Sequence, residues 1–112
     1  MLFIETPVFT EDVKELLNDD EYREFQQFMA DNPAWGDVIQ NTGGLRKVRW
    51  AAKGKGKRGG VRVIYYYKVS ESQIRLPLIY KKGVMDDLSE DEKRLLRALN
   101  EGWLWTKNYL SV

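Results

Sequence analysis

Apolar residues recur along this chain in two rhythms. Between Tyr22 and Met29 they stand three and four apart (Tyr22, Phe25, Phe28, Met29), which places them on one stripe of a helix. That helix is expected to restart the chain at Asn18, Asp19 and Asp20 and to run to about Asp31, where Asn32 and Pro33 stop it. A shorter helix through Leu16 and Leu17 precedes it, with Thr10 as N-cap and Glu11 and Asp12 in the first turn. Ahead of both, Phe3, Ile4 and Val8 form a short apolar stretch that Pro7 limits to an edge strand.

The second rhythm has period two. In Leu45–Ala52, Val48 and Trp50 fall on one face of a strand, Lys47 and Arg49 on the other. VRVIYYYKV, from Val61 to Val69, is dense in β-branched and aromatic residues; Val61, Val63, Tyr65 and Tyr67 alternate with Arg62, Ile64, Tyr66 and Lys68. Glu71 and Ser72 turn the chain into a further strand, Gln73–Lys81, in which Pro77 implies a free edge or a bulge. Trp35–Gly44 reads as a connector with one apolar pair, Val38 and Ile39, closed by the Gly43-Gly44 turn. Ser89 and Glu92 have capping-box spacing for a final helix carrying Leu95, Leu99, Trp103, Thr106 and Leu110, weakened at Gly102. The order predicts an α+β fold: a small twisted antiparallel sheet, an N-terminal helix pair and a C-terminal helix, with the helices against one face. One domain is expected over 1–112.

Charge changes this picture. Of 18 Lys and Arg, twelve lie between Arg46 and Lys82: Arg46, Lys47, Arg49, Lys53, Lys55, Lys57, Arg58, Arg62, Lys68, Arg75, Lys81 and Lys82. Glu71 is the only acid in that stretch, so a net charge of +1 conceals a strongly dipolar chain. Such a concentrated field suits a polyanion, nucleic acid first. A hydrophobic fraction of 43% supports a real core. No apolar run approaches the roughly 18–20 residues of a membrane span, and no signal peptide opens the chain. The absence of cysteine fits a cytoplasmic setting.

The chain also lacks histidine. Cys/His zinc sites, Cys–His pairs and Ser–His–Asp triads are therefore excluded. Proton transfer would fall to Lys, Tyr, Glu or Asp, with Arg stabilising charge. If the strands pair as hairpins, Lys47, Arg49 and Arg62 share one sheet face, with Lys81 and Lys82 ending the next strand nearby and Tyr66 beside them. The same arrangement in a solvated sheet would serve only to blunt its edge. The KGKGKRGG loop (Lys53–Gly60) carries Lys53, Lys55, Lys57 and Arg58 among glycines that let a backbone approach phosphates. It is not a P-loop, because G-x-x-x-x-G-K-[ST] is absent and no helix follows. Lys68 and Arg75 extend the basic surface. Tyr65, Tyr67 and Tyr80 read as sheet packing, whereas alternation makes Tyr66 the candidate stacking platform, worth roughly 1–3 kcal/mol per base. Trp35, Trp50, Trp103 and Trp105 read as packing residues. Asp86, Asp87, Glu90, Asp91 and Glu92 read as helix capping and solvation, so neither metal nor other cofactor is expected.

The stretch GLRKVRWAAKGKGKRGGVRVIYYYK, followed by IRLPLIYKKGVMDDLSEDEKRLL, resembles the RelE/HigB family of bacterial toxins, closest to the HigB-type branch, from about Gly36 to Leu99. Gly60-Val61-Arg62-Val63-Ile64-Tyr65 stands for the family's core motif. The resemblance implies a toxin that enters the ribosomal A site and cleaves translated mRNA without a metal, through the RNA's own 2′-OH. It implies a neighbouring antitoxin, HigA-type with a DNA-binding domain, and contact with operator DNA only through the toxin–antitoxin complex. It assigns the strand arginine to Arg62, the paired basic residues of the preceding strand to Lys47 and Arg49, and a basic residue after the last strand to Lys81 or Lys82. Tyr109 is the only late tyrosine, and no base role is assigned to it.

Two other functions fit the same basic face. A non-catalytic RNA- or ribosome-binding module would block translation without cutting. A gyrase- or protein-directed toxin could share the fold, since fold does not fix function.

Overall fold

The computed structural model describes residues 1–51, 60–84 and 87–103. The chain runs β1 (Leu2–Glu5), α1 (Pro7–Leu16), α2 (Asp19–Asp31), β2 (Asp37–Val38), β3 (Arg46–Trp50), β4 (Val61–Lys68), a 3-10 turn (Val69–Glu71), β5 (Gln73–Lys81) and α3 (Glu90–Glu101). The five strands form one sheet in the order β1-β5-β4-β3-β2. The α+β class is as expected. The sheet is mixed, however: β1 runs parallel to β5, while the other neighbours are antiparallel. The helix pair carries the chain from β1 to β2 at the far edge of the sheet, and three further strands precede β1's parallel partner β5; a four-residue edge strand gives no sequence sign of its direction.

The cap of α1 lies four residues before the expected one. Thr6 is the N-cap, its hydroxyl accepting from the Phe9 N–H at 3.1 Å and donating to the Pro77 carbonyl at 2.9 Å. Pro7 takes the first helical position, where its fixed φ suits the helix and its missing N–H costs nothing. Thr10 sits inside the helix and donates to Glu5 Oε1 at 2.6 Å. α2 starts where the sequence placed it, because Asn18 and Glu21 close a reciprocal capping box at 2.8 Å each way. Its stripe buries Phe25 and Met29 fully. Each such side chain contributes roughly 1.5–3 kcal/mol.

The sheet is covered on both faces, not one. Against the first face, Phe9, Val13, Leu17, Phe25 and Met29 of the helix pair meet Val48, Val61, Val63, Tyr65, Leu76 and Ile79. Against the second, Leu88 and Leu96 meet Leu45, Ile64, Leu78 and Tyr80. β4 foretold this at Ile64, an apolar residue on what was otherwise its polar face. α3 keeps its expected capping box, Ser89 with Glu92, but presents a different stripe. Leu95 is 70% exposed, and Leu96, Asn100 and Trp103 turn towards the sheet instead. α3 ends at Glu101 with Gly102 as cap; Thr106 and Leu110 lie outside the described residues. Pro77 occupies an interior strand, and the bulge is what admits it. Ile64 pairs with Leu78 and Tyr66 with Arg75, so β5 spends one residue more than β4 around Pro77.

Candidate nucleic-acid interface

Pairing register decides which cations meet. Arg49 lies directly opposite Arg62 across β3 and β4, and Arg62 lies opposite Tyr80 across β4 and β5. Lys47, two residues from Arg49, is opposite Ile64 on the same face. Side chains directly opposite in an antiparallel pair have Cβ atoms about 4.5–5.5 Å apart, and like charges there are unfavourable. Neither arginine has an ion-pair partner among the described residues. Arg62 Nη1 makes one long contact, 3.4 Å, to the Val61 carbonyl. Arg62 is half-buried and Arg49 exposed. The sheet thus holds two guanidinium groups together and leaves both available to an anion.

Tyr80 closes the row. It is 6% exposed. Burial pushes its phenol above its ordinary value; Arg62 pulls it down, and Asp87 and Glu92 add to the rise. A phenol keeps its proton at neutral pH in any case, so the hydroxyl is a hydrogen-bond donor in this row. Sequence reasoning missed Tyr80 as a site residue because only the β4–β5 register brings it to Arg62. Lys47 Nζ lies 3.7 Å from Asp87 Oδ1, an exposed carboxylate in the segment leading to α3. Such a surface pair is weak and gives way easily to a stronger anion.

The other expected site residues divide. The end of β3 and the start of β4 are register partners, Trp50 with Val61, so the chain between them leaves from beside Arg49 and Arg62. Its Lys53, Lys55, Lys57 and Arg58 lie outside the described residues, as does Tyr109. Lys81 is opposite Val61, which puts it by strand alternation on the helix-pair face, away from Lys47, Arg49 and Arg62. Lys82 follows in the turn, exposed, its N–H bonded to the Gly60 carbonyl at 3.1 Å.

Tyr66, Lys68 and Arg75 gather at the opposite end of the sheet. Four residues of strand, about 13 Å, separate Tyr66 from Arg62. Tyr66 is not a free platform, because its ring lies 5.4 Å from the Arg75 guanidinium. Arg75 departs furthest from the expectation of an exposed cation. It is 7% exposed and sits between Tyr66 and Trp103, 5.4 Å from each ring centroid. Its Nε donates to Gln73 Oε1 at 2.8 Å, and its Nη1 to the Asn100 carbonyl and Oδ1 at 3.2 and 3.1 Å. It joins α3 to the sheet. Among the described residues no three carboxylates come together as metal ligands.

Trp35 also departs from its expected packing role. It is 64% exposed and borders an open groove of about 320 Å³ with Gly36, Asp37, Lys47, Val48 and Arg49.

These features define a class: a small α+β protein with opposed cations on one sheet face. A family model for the RelE toxin of the RelE/RelB toxin–antitoxin system matches residues 34–109. That span covers well over half of the chain and contains Lys47, Arg49, Arg62 and Tyr80. The chain belongs to the RelE toxin family. Membership makes it the toxin of a toxin–antitoxin pair and implies an antitoxin as its partner. No described helix is long and apolar enough to cross a membrane.

Proposed function

We propose that this toxin is a ribosome-dependent mRNA endoribonuclease of the HigB-type branch, acting in the cytoplasm on translated mRNA in the A site. The observation that carries the proposal is the cross-strand row Arg49–Arg62–Tyr80, which joins two guanidinium groups without an ion-pair partner among the described residues to a protonated phenol. RNA brings its own nucleophile. The 2′-OH attacks the adjacent phosphorus as its proton passes to a base, the bond to the 5′-oxygen breaks, and that oxygen takes a proton; a 2′,3′-cyclic phosphate and a 5′-OH result. Arg62 and Arg49 bind the non-bridging oxygens as charge builds on them. Tyr80 donates to the leaving 5′-oxygen. In this reading Lys47, in its neutral form, accepts the proton from the 2′-OH, and Lys82 and the loop cations Lys53, Lys55, Lys57 and Arg58 contact phosphates. Positioning comes from the ribosome, so free RNA is a poor substrate, and no metal takes part. A HigA-type antitoxin, acidic where it meets this face, holds the toxin inactive, and operator DNA is reached through that complex.

The test is translation of a defined mRNA with and without ribosomes, with RNA ends read by primer extension. Ribosome-dependent cuts in register with codons support the proposal. Stalled translation on intact mRNA would overturn it in favour of a non-catalytic binding module, and cutting of naked RNA at the same rate would indicate a free-standing ribonuclease.

A further inference from the structure

Trp35 is fixed in place yet left uncovered. The segment that carries it is held by two side chains from the sheet. The buried Tyr65 hydroxyl donates to the Pro33 carbonyl at 2.9 Å and accepts from the Gly36 N–H at 2.8 Å. Arg46 Nη1 donates to the Gly36 and Ala34 carbonyls at 2.7 and 3.2 Å. Gly36 admits this arrangement because a Cβ there would meet Tyr65 Cε1 at 2.8 Å and the Lys47 carbonyl at 2.9 Å. Every backbone group flanking Trp35 that these bonds reach is tied down, while the indole itself stays 64% exposed.

Among the described residues its one aromatic ring partner leaves it usable. Phe28 and Trp35 pack edge to face, centroids 5.4 Å apart and planes at 87°. In that geometry at least one face of the indole is free of Phe28. The surroundings are cationic. Asp37 pairs with Lys47 in the β2–β3 ladder, so the chain two residues earlier, at Trp35, arrives beside Arg49, two residues later. The groove between them measures about 320 Å³, within the range of small-ligand pockets, and its two cations outnumber its one acid, Asp37. A rigid aromatic face next to phosphate-binding cations is how proteins hold unpaired nucleotides.

We propose that Trp35 is a stacking platform for one unpaired nucleobase of the RNA whose backbone Arg49 and Arg62 contact. This rests on the nuclease reading above and adds a base-binding subsite to it. Pre-ordering of the segment means that little conformational freedom is lost when the base arrives. Stacking is indifferent to base identity, so the subsite contributes affinity and register more than sequence preference.

The experiment measures cleavage of mRNA on programmed ribosomes by wild type, Trp35→Ala and Trp35→Phe, each checked for cooperative unfolding. The alanine variant is expected to raise the KM for programmed ribosomes about tenfold or more, with kcat less affected, and phenylalanine to restore most of the loss. Repeating the series on mRNA with an abasic nucleotide at each codon position identifies the base: if the Trp35→Ala penalty disappears at one position, the base belongs to the mRNA, and if it persists at all positions, the base belongs to ribosomal RNA. The first result supports the proposal; the second overturns it, because the stacked base would not belong to the RNA that Arg49 and Arg62 contact. A folded Trp35→Ala protein with wild-type KM overturns the platform while leaving the nuclease reading intact, as does a variant that loses only antitoxin binding, which would make the patch a protein interface. A wild-type protein that cuts nothing overturns both.

Discussion

Two arginines on neighbouring strands of one sheet face have opposite fates. Arg75 is buried between two rings, with its donors spent on Gln73 and Asn100. Arg62, on the adjacent strand, faces a second arginine and makes one long contact to a backbone carbonyl. The same side chain is a strut at one end of the face and, among the described residues, a charge without an ion-pair partner at the other. Burial and the supply of acceptors separate them, and both are set by where α3 lies. Its last turn and the residues just past it bring Asn100 and Trp103 to Arg75, and among the described residues the segment before it brings an exposed Asp87 to Lys47. Unspent charge is what a phosphate can use.

The contrast can be broken by substitution. Arg62→Ala is expected to lower ribosome-dependent cleavage by about 10²–10³-fold, the usual cost of removing one charge-stabilising donor, while denaturant midpoints stay near wild type; a variant that cuts at the wild-type rate would remove Arg62 from the chemistry. Tyr80→Phe is expected to slow single-turnover cleavage about a hundredfold, the low end for a general acid. It also tests the pH behaviour. Burial raises the phenols of Tyr22, Tyr65 and Tyr80, so their contribution to stability is present below the unfolded value of about 10 and is lost as pH rises towards the folded values. Alkaline unfolding should therefore be shallower in the phenylalanine variant, as followed by circular dichroism.

Arg75→Ala reverses the pattern of Arg62→Ala. Loss of the hydrogen bonds and both ring contacts should cost about 2–4 kcal/mol of unfolding free energy in urea, with cleavage per folded molecule kept within a few-fold. Arg49→Gln is the smallest and sharpest change. It removes a like-charge opposition, so it should stabilise the fold by about 0.2–1 kcal/mol while weakening phosphate binding. If it destabilises instead, the two arginines are not in opposition in solution.

The sequence announced the elements better than their arrangement. The Ser89–Glu92 capping box, the restart at Asn18, the stripe of α2 and the strands around Val48 and Val63 follow from local chemistry, and the structure has them. Thr10 was a sound cap by residue type, but Pro7 at the first helical position overrode it. Leu95 and Leu96 are equally apolar, and nothing within α3 says which one faces a sheet, so the covering of the second face stayed hidden. For the candidate site, the company of Arg49 and Arg62 was visible from strand parity. The burial of Arg75, the exposure of Trp35 and the approach of Tyr80 were not, because each depends on residues distant in sequence: Asn100 for Arg75, Tyr65 for the Gly36 segment and Arg62 for Tyr80.

The parallel edge has a consequence in time. Leu2 pairs with Gln73, and the Thr6 hydroxyl that caps α1 also bonds to a carbonyl 71 residues further on. Contacts of such long sequence separation form slowly, since the intervening chain must be ordered or looped first. During synthesis the first strand has no partner until β5 has emerged from the ribosome, and Tyr80 stands near the end of that same strand. The chain therefore completes its frame and the Arg49–Arg62–Tyr80 row in one late event.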